Sequence, residues 1–255
     1  MPSASTDTTP RRAPTILVVG IIAVLLALAL LALAGLGSRW EWWSFRTGFT
    51  LLRYGTYAAF GAALLTLIGV VLAARHRSTR GAAAIGVVVL LVGLGAATVP
   101  IRWRAQARTV PPIHDVTTDT EDPPVFRAVL SLRGTESNPV EYRGDTIANQ
   151  QRAAYPDVQP ARLAVTPDVA FARSLAVARD LGWTIVEADS AGGRIEASDR
   201  TAWFGFVDDV VIRVRPDDAG SRVDVRSISR VGGSDVGANA ARIRRFLTAL
   251  NAAGQ

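Results

Sequence analysis

The chain has 255 residues, a formal net charge of +6 and no cysteine, which excludes disulfides, thiolate metal sites and cysteine nucleophiles. The charge excess sits in residues 1–99, where eight arginines face only Asp7 and Glu41, whereas residues 100–255 carry twenty arginines and twenty acids. The C-terminal part is neutral and lacks the electrostatic footprint of a nucleic-acid binder.

In chain order, residues 1–101 read as a membrane region. Three uncharged stretches, 15–36, 54–74 and 81–101, each reach the roughly 20 residues a helix needs to cross a hydrocarbon core, and they predict three transmembrane helices. The first run follows Arg11 and Arg12 and contains Ala32-Leu33-Ala34, the features of a cleaved signal peptide, but its length favours a retained helix. Arg75, Arg77 and Arg80 crowd the connection between the second and third runs. With Arg11 and Arg12 they predict a cytoplasmic N-terminus and a C-terminal domain beyond the bacterial inner membrane, in the periplasm or an equivalent space. Arg39, Arg46 and Arg53 in the first loop and Arg102, Arg104 and Arg108 after the third run weigh against that bias. Trp40, Trp42 and Trp43 suit the boundary between headgroups and water. Gly61 and Gly69, eight apart, are expected to share a helix face and permit close packing.

Residues 102–255 form the predicted soluble domain. Its first part, 102–160, has prolines at 111, 112, 123, 124, 139, 156 and 160 and no sustained period, so a loop-rich arm is expected. A short strand at 162–165 precedes Thr166-Pro167-Asp168, a helix start with a capping hydroxyl and proline at the first helical position. Phe171, Leu175, Ala178 and Leu181 recur at helical spacing until Gly182. Strands follow at 183–188, 194–198, 203–215 and 222–230, and a final helix at 236–251 puts Ile243, Phe246, Leu247 and Leu250 on one face and Arg242 and Arg245 elsewhere. The order β-α-β-β-β-β-α with short connections predicts an α+β fold, an antiparallel sheet with both helices on one face.

Two polar groups are candidates for chemistry. In the third long strand, Phe204, Phe206, Asp208, Val210, Ile212 and Val214 alternate, and an aspartate in that apolar row needs a partner. If the hairpin pairs Arg215 with Arg222, then Arg213 faces Asp224, Asp208 faces Ser229, and Asp209 lies diagonal to Arg226 and Arg230 on the other face. As a site, this cluster of Asp208, Asp209, Arg226, Ser227, Ser229 and Arg230 would hold an anion or polar headgroup between the two arginines. Backbone donors of Gly232, Gly233 and Ser234 would assist, with Ser234 and Asp235 at the start of the last helix. As structure, the same residues are cross-strand ion pairs, a bulge at the Asp pair and a glycine turn into a capped helix. Gly232-Gly233-Ser234-Asp235-Val236-Gly237 has neither the spacing nor the lysine of a nucleotide-binding loop.

The second group is His114 with Asp115 and Asp119 in the arm. The imidazole with either carboxylate could ligate a metal or form an acid–base pair. One histidine makes a poor zinc site, so no metal is expected, and the absence of G-x-S-x-G argues against a serine hydrolase.

The segments Phe206-Val207-Asp208-Asp209-Val210 and Arg226-Ser227-Ile228-Ser229-Arg230-Val231-Gly232, followed by Ser234-Asp235-Val236-Gly237, Asn239, Arg242 and Ile243, resemble the hallmark of the bacterial and plastid domain-of-unknown-function 1499 family. The likeness covers about residues 110–250. His114-Asp115-Val116-Thr117-Thr118-Asp119 resembles the opening of a branch that carries membrane helices before the domain. Another branch opens with a cysteine-containing segment, which this chain cannot share. The resemblance implies that both polar clusters characterise the family; it supplies no activity and no cofactor.

The expectation is a membrane-anchored domain that binds a lipid, a small anion or a partner through the arm and the Asp208, Asp209, Arg226, Arg230 cluster. Two other classes stand beside it: an enzyme with His114 as general base, and a structural subunit serving a membrane-protein partner, whose cluster only holds the sheet together.

Overall fold

The computed structural model describes residues 12–218 and 220–253. Asp7 and Arg11 and the side chain of Arg12 lie outside the described residues. The chain divides into two compact units, one of helices up to Arg104 together with Trp203–Gly205, the other running over Ala105–Ala202 and from Phe206 onward.

The helical unit contains α1 (Arg12–Arg39), α2 (Phe45–Ala74) and α3 (Arg80–Gln106). Each is long and apolar enough to cross a membrane. α2 starts nine residues before the expected 54, taking in Arg46 and Arg53, because Ser44 caps it: its Oγ accepts the Thr47 N–H at 3.3 Å. A cation near a helix end can keep its head at the interface, so these arginines do not stop the helix. The first loop shrinks to a turn carrying Trp40, Trp42 and Trp43, whose adjacent ring centroids lie 4.9 and 6.0 Å apart. Glycines set the helix contacts. A Cβ at Gly69 would lie 2.5 Å from the Leu17 Cα, and one at Gly93 would lie 2.7 Å from a Val24 methyl. Gly61 has nothing within 4 Å of such a Cβ. Gly61 and Gly69 therefore do not share an interface: eight residues advance the helix by two turns and about 80° more.

The second unit holds β1 (Asp115–Thr117), α4 (Asp145–Ala154), β2 (Ala161–Leu163), α5 (Pro167–Asp180), β3 (Thr184–Asp189), β4 (Arg194–Arg200), β5 (Val207–Asp217), β6 (Gly220–Ser229) and α6 (Ala238–Ala252). The sheet runs β1-β6-β5-β4-β3 with β2 also on β6, and every pairing is antiparallel. The architecture is the α+β arrangement expected from the strand and helix order. Thr166 stands at the N-cap of α5, but its side chain makes no capping bond; Pro167 and the extended Thr166 backbone start the helix instead. The strand expected from 203 begins only at Val207, because Trp203–Gly205 belong to the helical unit.

Period-two alternation gives the sheet two unlike faces. On one, Ile195, Ala197, Val210, Ile212, Val214, Val223 and Val225 form the main core with Phe171 of α5 and Ile243, Phe246 and Leu250 of α6. Trp183 stacks on Phe246 at 5.5 Å. The other face presents Glu196, Asp209, Val211, Arg213, Asp224, Arg226, Ile228 and Arg230, and the arm covers it. A small apolar cluster of Phe126, Val129, Val211 and Ile228 lies there. The arm is more ordered than its prolines suggest: it supplies β1, a 3-10 turn at Ala128–Leu132 and the ten-residue α4. Gln151 of α4 completes the edge strand, accepting the Thr117 N–H at 2.9 Å and donating to the Thr117 carbonyl at 2.6 Å.

Candidate functional site

The hairpin register is the one the charge pattern predicts: Arg215 faces Arg222, Arg213 faces Asp224, Asp208 faces Ser229 and Asp209 faces Ile228. It runs unbroken through the Asp pair, so the bulge expected there is absent. The irregularity lies between Ile185 and Glu187 in β3. Alternation then sends Asp208 to the helix face and Asp209 to the arm face.

On the helix face, Asp208 finds its partner in Arg242 of α6, whose Nη2 donates at 2.6 Å. The same guanidinium donates to Asp199 at 2.8 Å, to Asn239 Oδ1 at 2.6 Å and to Ser227 Oγ at 3.1 Å. Arg242 is 2% exposed, a correction to its expected place off the buried face. Burial works against its charge, but Asp208 and Asp199 outweigh that and strengthen its hold on the proton. Asn239 extends the set, donating to Ser229 Oγ at 3.1 Å and to the His114 carbonyl at 3.0 Å, while Ser227 Oγ donates to its Oδ1 at 2.7 Å. Asp235, two residues ahead of the Gly237 N-cap of α6, accepts the Gly237 and Asn239 N–H groups at 2.8 Å each. Burial raises its pKa, and those two bonds only partly oppose the rise. Ser234 Oγ accepts the Val236 N–H at 3.2 Å. Val236 holds φ at 54°, a costly conformation for a β-branched residue, and the Ser234 and Asp235 side chains bind the backbone on either side of it.

On the arm face, Arg226 is 3% exposed and donates twice to Asp115, at 2.9 and 2.7 Å, then to the Pro124 carbonyl at 3.1 Å and the Val140 carbonyl at 2.6 Å. Phe126 and Tyr142 place ring centroids 5.1 and 5.4 Å from its guanidinium carbon. Burial, then the Asp115 charge, pushes the Tyr142 phenol up to about 12. Arg230 donates to Asp209 at 2.8 to 3.2 Å and to the Leu132 carbonyl at 2.8 Å. Asp209 is completed by Ser198 at 2.7 Å and by a close contact from Arg133. Glu196, fully buried, accepts the Arg127 and Val129 N–H groups at 2.8 and 3.0 Å, capping the 3-10 turn. The charged side chains of this face are thus the arm's hydrogen-bond partners.

At the far end of β5 and β6, Arg213, Arg215 and Arg222 converge on Asp119, Asp122 and Asp224 at 2.7 to 3.4 Å. Asp224 is buried, but Asp122 is 66% exposed and Arg215 is 38% exposed. Burial opposes the charge on Asp119. The Asp122 and Glu121 backbone N–H groups, with Arg222 and Arg213, overcome it and hold the carboxyl below its usual range.

The predicted residues fall into separate sets. Asp208, Ser227, Ser229 and Asp235 meet on the helix face; Asp209, Arg226 and Arg230 lie on the arm face; Ser234 stays in the turn. Arg226 and Arg230 engage different carboxylates, Asp115 and Asp209. His114, Asp115 and Asp119 are not brought together either: Asp115 is bound by Arg226, Asp119 by the arginine triad, and His114 enters through its carbonyl, which also accepts the Ser229 N–H at 2.8 Å. Among the described residues no group of three or more His, Cys, Asp or Glu side chains is placed to hold a metal ion. Sequence reasoning missed Arg133, Glu196, Asp199, Gln151 and the buried role of Arg242. The unpartnered Asp208 was the signal that a cation had to come from elsewhere. The triad was half visible as the Arg213–Asp224 pair.

Residues 115–250 match the family described as "Protein of unknown function (DUF1499)". The match spans more than half of the chain, which belongs to that family, and the three apolar helices ahead of the domain fit its membrane-attached branch. No curated protein matches the chain.

Proposed function

We propose that this protein is a membrane-anchored binding protein whose α+β unit stands outside the cytoplasm and takes an anionic group, a small anion or a lipid headgroup, at Arg213, Arg215 and Arg222. One observation carries the reading: two of these guanidiniums, Arg213 and Arg215, each donate at 3.0 Å to the carboxylate of Asp122, a loop residue that is two-thirds exposed. That carboxylate occupies the position an incoming phosphate or carboxylate would take, and arginine forks suit such planar or tetrahedral anions. The site first expected, between Arg226 and Arg230, is less suitable, because both arginines are committed to buried carboxylates and arm carbonyls. Placement outside the cytoplasm is supported by Arg75 and Arg77 in the short connection between α2 and α3 and by Arg80 at the start of α3.

The test uses full-length protein in nanodiscs. Inorganic phosphate and vesicles containing phosphatidylglycerol are titrated against the native chain and the Arg215→Ala/Arg222→Ala variant. We expect the variant to bind at least about tenfold more weakly, the loss of one or two charge-assisted bonds; thermal unfolding is followed beside it, and the comparison is made where both proteins are folded, because Arg215 and Arg222 also pair with buried Asp224. Unchanged binding would remove this site from consideration. A second reading, a structural subunit, is favoured by the complete internal pairing of Asp208, Asp209 and Arg226; it predicts no binding of either probe.

A further inference from the structure

Trp203 and Phe204 stand in the six-residue connection 201–206 between β4 and β5, and neither projects freely into water. Trp203 Nε1 donates to the Ala32 carbonyl of α1 at 3.0 Å, and its ring lies 5.1 Å from Trp103 of α3. Phe204, 3% exposed, lies 5.0 Å from Phe49 of α2 and 5.3 Å from Trp203. Glycines make the room: a Cβ at Gly48 would lie 2.9 Å from the Phe204 ring and 2.6 Å from the Ala34 carbonyl, and Gly35 faces Trp203 in the same way.

Depth gives this cluster its meaning. Ala32 precedes Arg39 by seven residues, about 10 Å along the helix axis, and the intervening residues Leu33 to Ser38 bear no charge. The Trp203 indole therefore lies level with the apolar part of α1, on the hydrocarbon side of the arginine that ends it. Trp43 donates its own Nε1 to the Ala34 carbonyl at 3.3 Å, so two indoles satisfy their N–H groups on the same stretch of helix. Exposed Trp103 and Phe49, each 45% accessible, continue the aromatic surface outward from Trp203 and Phe204. Such rings, apolar with one satisfied N–H, are stable at the boundary between headgroups and acyl chains.

We infer that the Trp203-Phe204 turn is a fourth membrane-embedded segment of the chain: it enters the lipid boundary in the notch left by Gly35 and Gly48, and its partner beyond the helices is lipid. This goes beyond the anion-binding reading and does not depend on it.

Because the chain has no cysteine, a single introduced thiol reports one place. Full-length Ala202→Cys in nanodiscs, carrying a nitroxide, is compared with Leu64→Cys on the outer face of α2 and with Ser190→Cys in the β3–β4 turn. Collision with dissolved oxygen and with a water-soluble nickel complex is measured for each. The label at 202 is expected to favour oxygen as the label at 64 does, with nickel accessibility several-fold below that at 190. Adding Trp203→Ala/Phe204→Ala should move it toward the aqueous values. Nickel accessibility at 202 equal to that at 190 overturns the inference, as does an accessibility indifferent to loss of both aromatic rings.

Discussion

A guanidinium almost sealed from water is stable only when its donors are used, and Arg226 meets that condition with one carboxylate, two carbonyls and two aromatic faces. Removing it leaves the Asp115 carboxylate buried and unpaired. Arg226→Met should therefore lower stability by about 3–5 kcal/mol, the usual consequence of breaking a buried pair from one side. The double change Arg226→Met/Asp115→Leu should cost less than the single one, because no charge is then stranded. Thermal unfolding of the full chain in detergent, followed for both variants, checks the ordering. If the double variant is the less stable, Asp115 has a partner besides Arg226.

The arm joins the main core at its two ends, through Ile113, Val116, Ile147, Tyr155 and Val158, but between 117 and 140 it meets the sheet with a small apolar cluster and many polar bonds. Its stability should then follow the charge state of its carboxylates more closely than the helix-covered face does. Asp119 has a depressed folded pKa, so its contribution is present above the unfolded value of about 3.9 and is lost as pH falls through the lower folded value. Hydrogen exchange along residues 115–126, compared with β4 and β5 in the same sample, should show the arm losing protection first as pH drops below about 4. Asp119→Asn should raise arm exchange at neutral pH and flatten that dependence. Equal pH responses of arm and central strands would mean that the triad contributes nothing to holding the arm.

At the scale of the whole molecule, three helices that cross a membrane in succession would bring the connection between α2 and α3 and the sequence after α3 out on opposite faces. The proposed topology puts that connection, with its arginines, on the inside. On right-side-out vesicles a membrane-impermeant maleimide should label Ser190→Cys and leave Thr79→Cys unmodified until the vesicles are opened. The reverse pattern would put the α+β unit in the cytoplasm and overturn the extracytoplasmic part of the proposed function.

What the residues determine by themselves is whatever depends on neighbours in the chain. Apolar runs of membrane length set the three helices, alternation set the faces of β5 and β6, and the charges of a two-stranded hairpin were enough to fix its register down to Arg213 opposite Asp224. The family hallmark was legible for the same reason, being local. Tertiary structure alone decided the rest. Arg242 reaches Asp208 across thirty-four positions, Gln151 closes β1 across the same interval, and Glu196 caps a turn sixty-seven residues away. No period or spacing records such meetings, because a buried charge announces only that it needs a counter-charge and not which distant one the fold will deliver. The arm looked irregular because prolines and turn residues erased its local period, and its order comes from carbonyls and amides bound to the sheet together with Ile113, Val116, Ile147, Tyr155 and Val158 in the main core. Trp203 and Phe204 read as the start of a strand for the complementary reason: alternation specifies a face, and only the folded chain decides whether that face meets a sheet or a bundle of helices.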